Sequence, residues 1–146
     1  MRQNPLALLL RALRLWQQKR VRFQTEVDST TLVDHEETFL AFRKVVVAPG
    51  PLQPPRPGAI FRVRFRFKNL SATANRWLSL IPIPLILAQP GFRSKTWLLG
   101  TNSGDFIGSY DFDSVETAQQ YWDSLPLRMM RKRAAPGSLT SEIHQT

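Results

Sequence analysis

The chain has 146 residues, 42% of them hydrophobic, and a formal charge of +9, which suits one globular domain with a real core and leaves little room for two. It has no cysteine, and this excludes disulfides, thiolate zinc sites, iron–sulfur clusters and a cysteine nucleophile. The charge is uneven: residues 1–25 carry six Lys/Arg and no acid, residues 26–37 five acids and no Lys/Arg, and residues 58–146 eleven bases against six acids, so much of the excess belongs to an N-terminal arm.

The two histidines, His35 and His144, suggest no metal site, since a lone histidine is usually structural. No run approaches the roughly 18 apolar residues of a membrane span; residues 80–88 come nearest and contain Pro82 and Pro84. Residues 5–10 are too short for a signal-peptide core, and Arg11 interrupts them. A cytoplasmic protein is expected.

In chain order, residues 4–20 read as a helix, with Asn4 as N-cap, Pro5 at the first helical position, and Leu6, Leu9, Leu10, Leu13 and Trp16 on one face. Arg11, Arg14, Lys19 and Arg20 surround that face. Such a helix packs on its own domain or holds the protein peripherally at a membrane surface. Residues 21–47 read as strands, with a competing helix signal in the capping-box spacing of Asp34 and Glu37. Residues 1–47 thus form an N-terminal extension. Five prolines among residues 48–58 favour an extended linker.

Residues 59–146 carry the clearest pattern and are expected to fold by themselves. Phe61, Val63, Phe65 and Phe67 alternate with Arg62, Arg64, Arg66 and Lys68 as a strand with one buried face. Ser71 or Thr73 caps a helix carrying Trp77, Leu78 and Ile81, which Pro82 and Pro84 break. A hairpin follows, residues 92–99 and 105–112, turned at residues 101–104. Asp113 with Glu116 opens a second helix through Val115, Ala118, Tyr121 and Trp122, ended or bent by Pro126. A basic stretch, residues 128–133, leads to a last strand, 138–144. This order is that of a ferredoxin-like α+β fold, βαββαβ, with a four-stranded antiparallel sheet covered on one face by two helices. In the usual strand order Arg62, Arg64 and Arg66 lie on the open face, where they can meet Asp111 and Glu142.

Gly91-Phe92, Lys95, Trp97, Gly108, Tyr110 and Phe112, followed by the spacing of Ala118 and Tyr121, resemble the YdhR-type monooxygenases. These are relatives of the antibiotic-biosynthesis monooxygenases in the dimeric α+β barrel superfamily. The resemblance covers about residues 58–144. It implies a homodimer packed sheet against sheet, a small apolar or aromatic molecule between sheet and helices, and oxygenation by some members without metal or flavin. No cofactor is therefore expected, and the second helix has no histidine to serve as a haem ligand. On this reading Phe65, Phe67, Asn75, Trp77, Lys95, Trp97 and Tyr110 are the candidate substrate-binding residues, no catalytic residue being assigned. The ordinary alternatives are core packing for the aromatics and solvation for Lys95.

The alternative is a non-enzymatic interaction or nucleic-acid-binding module using the basic sheet face and the N-terminal helix. Residues 104–108 depart from the aromatic motif of RNA-recognition domains, and the phenylalanines of residues 61–67 point away from the arginines, so only weak, nonspecific nucleic-acid binding is expected. No Ser/His/Asp context, phosphate loop or dinucleotide fingerprint is present.

Overall fold

A computed structural model of the chain describes residues 3–24, 31–68, 74 and 80–146. The described elements are α1 (Pro5–Gln17), β1 (Val21–Gln24), β2 (Thr31–Asp34), β3 (Glu37–Val47), β4 (Ala59–Phe65), α2 (Ile83–Leu87), β5 (Phe92–Gly100), β6 (Phe106–Phe112), α3 (Val115–Trp122), α4 (Leu125–Arg133) and β7 (Thr140–Gln145). The expected helix around Asn75, Trp77 and Leu78, with its cap at Ser71 or Thr73, lies outside the described residues.

The chain is an α+β protein built on one antiparallel sheet. In place of the expected four strands the described residues form seven, in the order β1-β3-β5-β6-β4-β7 with β2 also paired to β3. The difference comes from the N-terminal extension. β3 pairs with β5 from Phe39↔Gly100 to Val46↔Ser94, and so covers an edge that would otherwise expose a row of unpaired backbone groups. β4 lies between β6 and β7. Its alternation is realised, with Ala59, Phe61, Val63 and Phe65 buried and Ile60, Arg62 and Arg64 only partly so. The buried side packs with Ile83, Ile86 and Leu87 of α2, Ala118 and Tyr121 of α3 and Leu127 of α4 in the main core.

Residues 48–58 are tied to the sheet. The Arg93 guanidinium donates to the Pro54 and Pro55 carbonyls at 2.8 and 3.2 Å. The Gln53 amide donates to Asp113 at 2.9 Å, and the Gly58 amide to the Phe112 carbonyl at 2.9 Å.

Local chemistry explains where the elements differ from expectation. Asn4 caps α1 as expected, accepting from the amides of Leu6 and Ala7. The face turned inward, however, is Leu8, Ala12 and Leu15, and the Leu6, Leu9, Leu10, Leu13 and Trp16 face remains exposed. Asp34 and Glu37 do not start a helix: His35 and Glu36 have φ of 48° and 67°, a two-residue left-handed hairpin turn whose twist suits the strands it joins. The α3 cap is Ser114, in a capping box with Thr117, because Asp113 is engaged by Arg93 at 3.0 Å. The second helix stops at Trp122, before Pro126, which was expected to end or bend it. Pro126 stands in the first turn of a new helix, α4, capped by Ser124, where a missing amide costs nothing.

The arginine row finds one of the two acids expected and three others. Arg62 does reach Glu142, at 3.6 Å, but Asp111 instead accepts from the Ser94 hydroxyl at 2.6 Å. Arg64 contacts Asp34 at 2.9 Å, Glu37 at 3.1 Å and Asp105 at 2.9 Å, and Arg66 reaches Asp105 at 2.7 Å. Since β4 and β3 are separated in the sheet by β5 and β6, these contacts mean that the sheet curls until the β2–β3 turn meets β4. Inside the curl Phe39, Ala41, Leu98 and Ile107 form a second buried cluster, with Leu32 packed against it.

Glu37 also accepts from the Asn102 amide at 3.0 Å, the Ser103 amide at 2.7 Å and the Ser103 hydroxyl at 2.8 Å. These bonds, the Ser103 amide foremost, hold its carboxyl down at about 2 against an ordinary value of 4.5. The contribution to stability is present above pH 4.5 and is lost as pH falls through 2. Glu37→Gln should therefore melt below the parent at neutral pH, and the gap should close as pH is lowered across that window; thermal denaturation at several pH values checks it. A chain reduced to residues 58–146 lacks β3, Asp34 and Glu37, and is expected to lose its cooperative unfolding transition.

Candidate functional site

One irregularity in β5 sets the site. Register against β6 shifts between Phe92 and Ser94, a β-bulge at Arg93, whose side chain is buried and bonded to Asp113, Pro54 and Pro55. In a regular strand Phe92 and Lys95 would point to opposite faces. The extra residue brings Phe92, Lys95 and Trp97 to the helix-covered face together. Phe92 and Trp97 accordingly join the main core, whereas Leu98 joins the cluster on the other side.

Across the ladder Lys95 stands opposite Tyr110, and Trp97 opposite Gly108. The glycine is needed for space. A Cβ there would lie 2.9 Å from Tyr110 Cε1 and 3.3 Å from Lys95 Cε, so any side chain would push against both.

Phe65, Phe67, Lys95, Trp97, Phe106 and Tyr110 line a largely apolar cavity of about 50 Å³, closed by Pro82 and Ile86, Tyr121, and Met129, Met130 and Arg133 of α4. This is room for water molecules or the edge of a ring. A complete aromatic ligand requires neighbouring side chains to move, and methionines are well suited to that.

Lys95 is buried, with its ammonium nitrogen 4.5 Å from the Trp97 ring centre and 4.6 Å from that of Tyr110. Among the described residues it has no carboxylate partner and no hydrogen bond. Burial, and secondarily the charge of Arg43, lower its pKa from 10.5 to about 7, so near neutrality it is divided between ammonium and free amine. The Tyr110 and Tyr121 rings are 4.8 Å apart; burial raises both pKa values, which keeps the phenols neutral. The Trp97 indole N–H is buried and has no acceptor among the described residues. The cavity therefore offers a basic amine and flat apolar walls.

Of the candidate residues, Phe65, Phe67, Lys95, Trp97 and Tyr110 meet around this cavity. Asn75 and Trp77 lie outside the described residues. Lys95 is not the solvated strand residue that its place in an alternating pattern suggests, because the bulge reverses its facing. Tyr121, Met129 and Met130 were not singled out as site residues. Tyr121 is visible as part of the α3 apolar face, but the two methionines lie in or beside the basic stretch of residues 128–133, to which the sequence assigns no element. Neither histidine lines the cavity: His35 is in the β2–β3 turn, and His144 is on β7 beside Glu142 at 3.2 Å. With no histidine or cysteine among its lining residues, the cavity has no axial ligand of those kinds for a haem.

No protein-family model matches the chain, and no curated protein matches it. Among solved structures, it is similar to an anthrone oxidase-like protein at 18% identity and a TM-score of 0.53, over 75% of this chain and 54% of that one. It is similar to LmHde, a heme-degrading enzyme from Listeria monocytogenes, at 10% identity and a TM-score of 0.59, over 86% of this chain and 96% of that one. An uncharacterized ferredoxin fold protein related to antibiotic biosynthesis monooxygenases, also from Listeria monocytogenes, aligns at 12% identity and a TM-score of 0.48, over 91% and 86% of the two chains. The chain spans about half the length of the anthrone oxidase-like protein. The first two likenesses, at such identities, are likenesses of fold, and a fold hosts many chemistries.

Proposed function

We propose that the chain binds a small, flat, largely apolar molecule with an acidic C–H or O–H group, and oxygenates it as a cofactor-independent monooxygenase of the YdhR type. The observation that carries this reading is Lys95, an amine buried against two aromatic rings at the wall of an apolar cavity, with no carboxylate partner among the described residues. A lysine so placed costs stability, and a role at the site accounts for its presence. The solved neighbours named for an anthrone oxidase and a heme-degrading enzyme fit an oxidative reading without specifying it.

The chemistry assigned to the residues is modest. Free Lys95 amine removes a proton from the activated substrate carbon, and the resulting ammonium stabilises the carbanion while Trp97 donates its N–H to the delocalised oxygen. The carbanion passes its electrons to molecular oxygen and a C–O bond forms. The hydroperoxide takes back the proton from Lys95 and loses water. The balance is R2CH2 + O2 → R2C=O + H2O. The Tyr110–Tyr121 pair and the phenylalanines keep water from the anion.

Two measurements test the reading. The full chain should bind 4-nitrophenol and shift its absorbance toward the phenolate, and with anthrone it should consume one oxygen per substrate. Lys95→Met should weaken phenol binding about tenfold or more and abolish oxygen uptake, whereas Tyr110→Phe should reduce affinity with little effect on folding. Parent protein that neither binds the phenol nor consumes oxygen would overturn the proposal.

The same substitution has a stability signature of definite sign. Because the folded-state pKa of about 7 lies below the ordinary 10.5, burying the ammonium costs most below pH 7, and the cost fades as pH rises to 10.5. Lys95→Met should be the more stable protein, by on the order of a few kcal/mol at pH 6, with the advantage shrinking above pH 7; denaturant unfolding across that range measures it.

A further inference from the structure

We propose that the outward face of α1 seats the protein on an anionic lipid bilayer. α1 has two apolar faces. Leu8, Ala12 and Leu15 are turned inward, with Leu8 and Ala12 packed beside Leu85, Ala88 and Leu125. The opposite face carries Leu6, Leu9, Leu10, Leu13 and Trp16, which are 65, 46, 55, 52 and 58% exposed. The patch continues onto β1, where Phe23 is 41% exposed and its ring lies 6.1 Å from that of Trp16. Contiguous apolar surface of this kind marks an interaction site on a water-soluble fold, where scattered single leucines would not.

Charge decides the occupant. Arg11, Arg14, Lys19 and Arg22 are exposed around the patch, have no acidic partner among the described residues, and belong to a stretch, residues 1–25, without an acid. A second copy of the chain docked through this face would set those cations against one another with nothing to neutralise them. An anionic headgroup layer complements them, while leucines enter the acyl boundary and the Trp16 and Phe23 rings sit at the interface level. α1 need not detach to do this, since its inward face stays on the domain. It packs on α2, where Ile86 lines the cavity and Ile81, just before it, is exposed. The inference stands whether or not the cavity is catalytic.

The full chain should sediment with vesicles of about 3:1 phosphatidylcholine and phosphatidylserine, far less with pure phosphatidylcholine, and should be released by salt at about 0.5 M. Leu9→Glu with Leu13→Glu places charge on the exposed face only, so the melting temperature should hold while vesicle affinity falls about tenfold or more. Arg11→Gln with Arg14→Gln should weaken binding to the anionic vesicles alone. No sedimentation of the parent, or sedimentation indifferent to both variants, would overturn the proposal. So would a dimer in sedimentation velocity that the Leu9→Glu and Leu13→Glu pair dissolves without any vesicle binding by the parent; the face would then belong to a second copy.

Discussion

A lysine held among aromatic rings, with no counter-charge among the described residues, is a costly feature of this molecule, and much of the surrounding architecture is what puts it there. The bulge at Arg93 turns Lys95 inward. Gly108 leaves the space for its stem and for Tyr110. Arg93 itself is fixed by Asp113 and by the carbonyls of Pro54 and Pro55, so the proline-rich segment supports the site although it touches none of its contents. Desolvation then does the electrostatic work, bringing an ordinary amine into the range where it exchanges protons at neutral pH.

The N-terminal extension matters to the same end from the other side of the sheet. β3 lies along β5, the strand that carries Lys95, and Val45 is the direct ladder partner of Lys95. Asp34 and Glu37 at the β2–β3 turn bind Arg64 of β4, which holds the sheet in its curl. The cations of β4 are thereby largely spent within the molecule: Arg64 faces three carboxylates and Arg62 reaches Glu142. Much less of the basic sheet face is left for a phosphate polymer than the whole-chain charge suggests. The cations of α1, which have no acidic partner among the described residues, are elsewhere, around an exposed apolar face.

Several of these features were legible in the sequence and others were not, for identifiable reasons. The strict alternation of residues 61–67 fixed which side of β4 is buried, and Asn4 and Pro5 marked the start of α1, because both signals are local. The inward facing of Lys95 was not readable. Period-two reasoning assumes an unbroken strand, and one extra residue inverts everything after it. The inward stripe of α1 is not readable because Leu8, Ala12 and Leu15 are fewer than the five large apolar residues opposite them; which stripe meets the domain depends on the shape of α2, a tertiary matter. Asp34 and Glu37 imitated a capping box while serving as acids for an arginine on a distant strand. Met129 and Met130 are inconspicuous in the basic stretch of residues 128–133, for which no element is assigned from sequence, whereas Ser124 before Pro126 is the cue for a new helix.

Lys95 is a buried amine facing an apolar cavity, with no carboxylate partner among the described residues. The most direct test is an NMR titration of its ε-methylene carbon, assigned by comparison with Lys95→Met, which removes a single resonance without disturbing the other lysines. A midpoint near pH 7, about three units or more below an ordinary lysine, is the predicted result. A midpoint at 10 or above would mean that Lys95 is solvated or paired, and would contradict the account of the site.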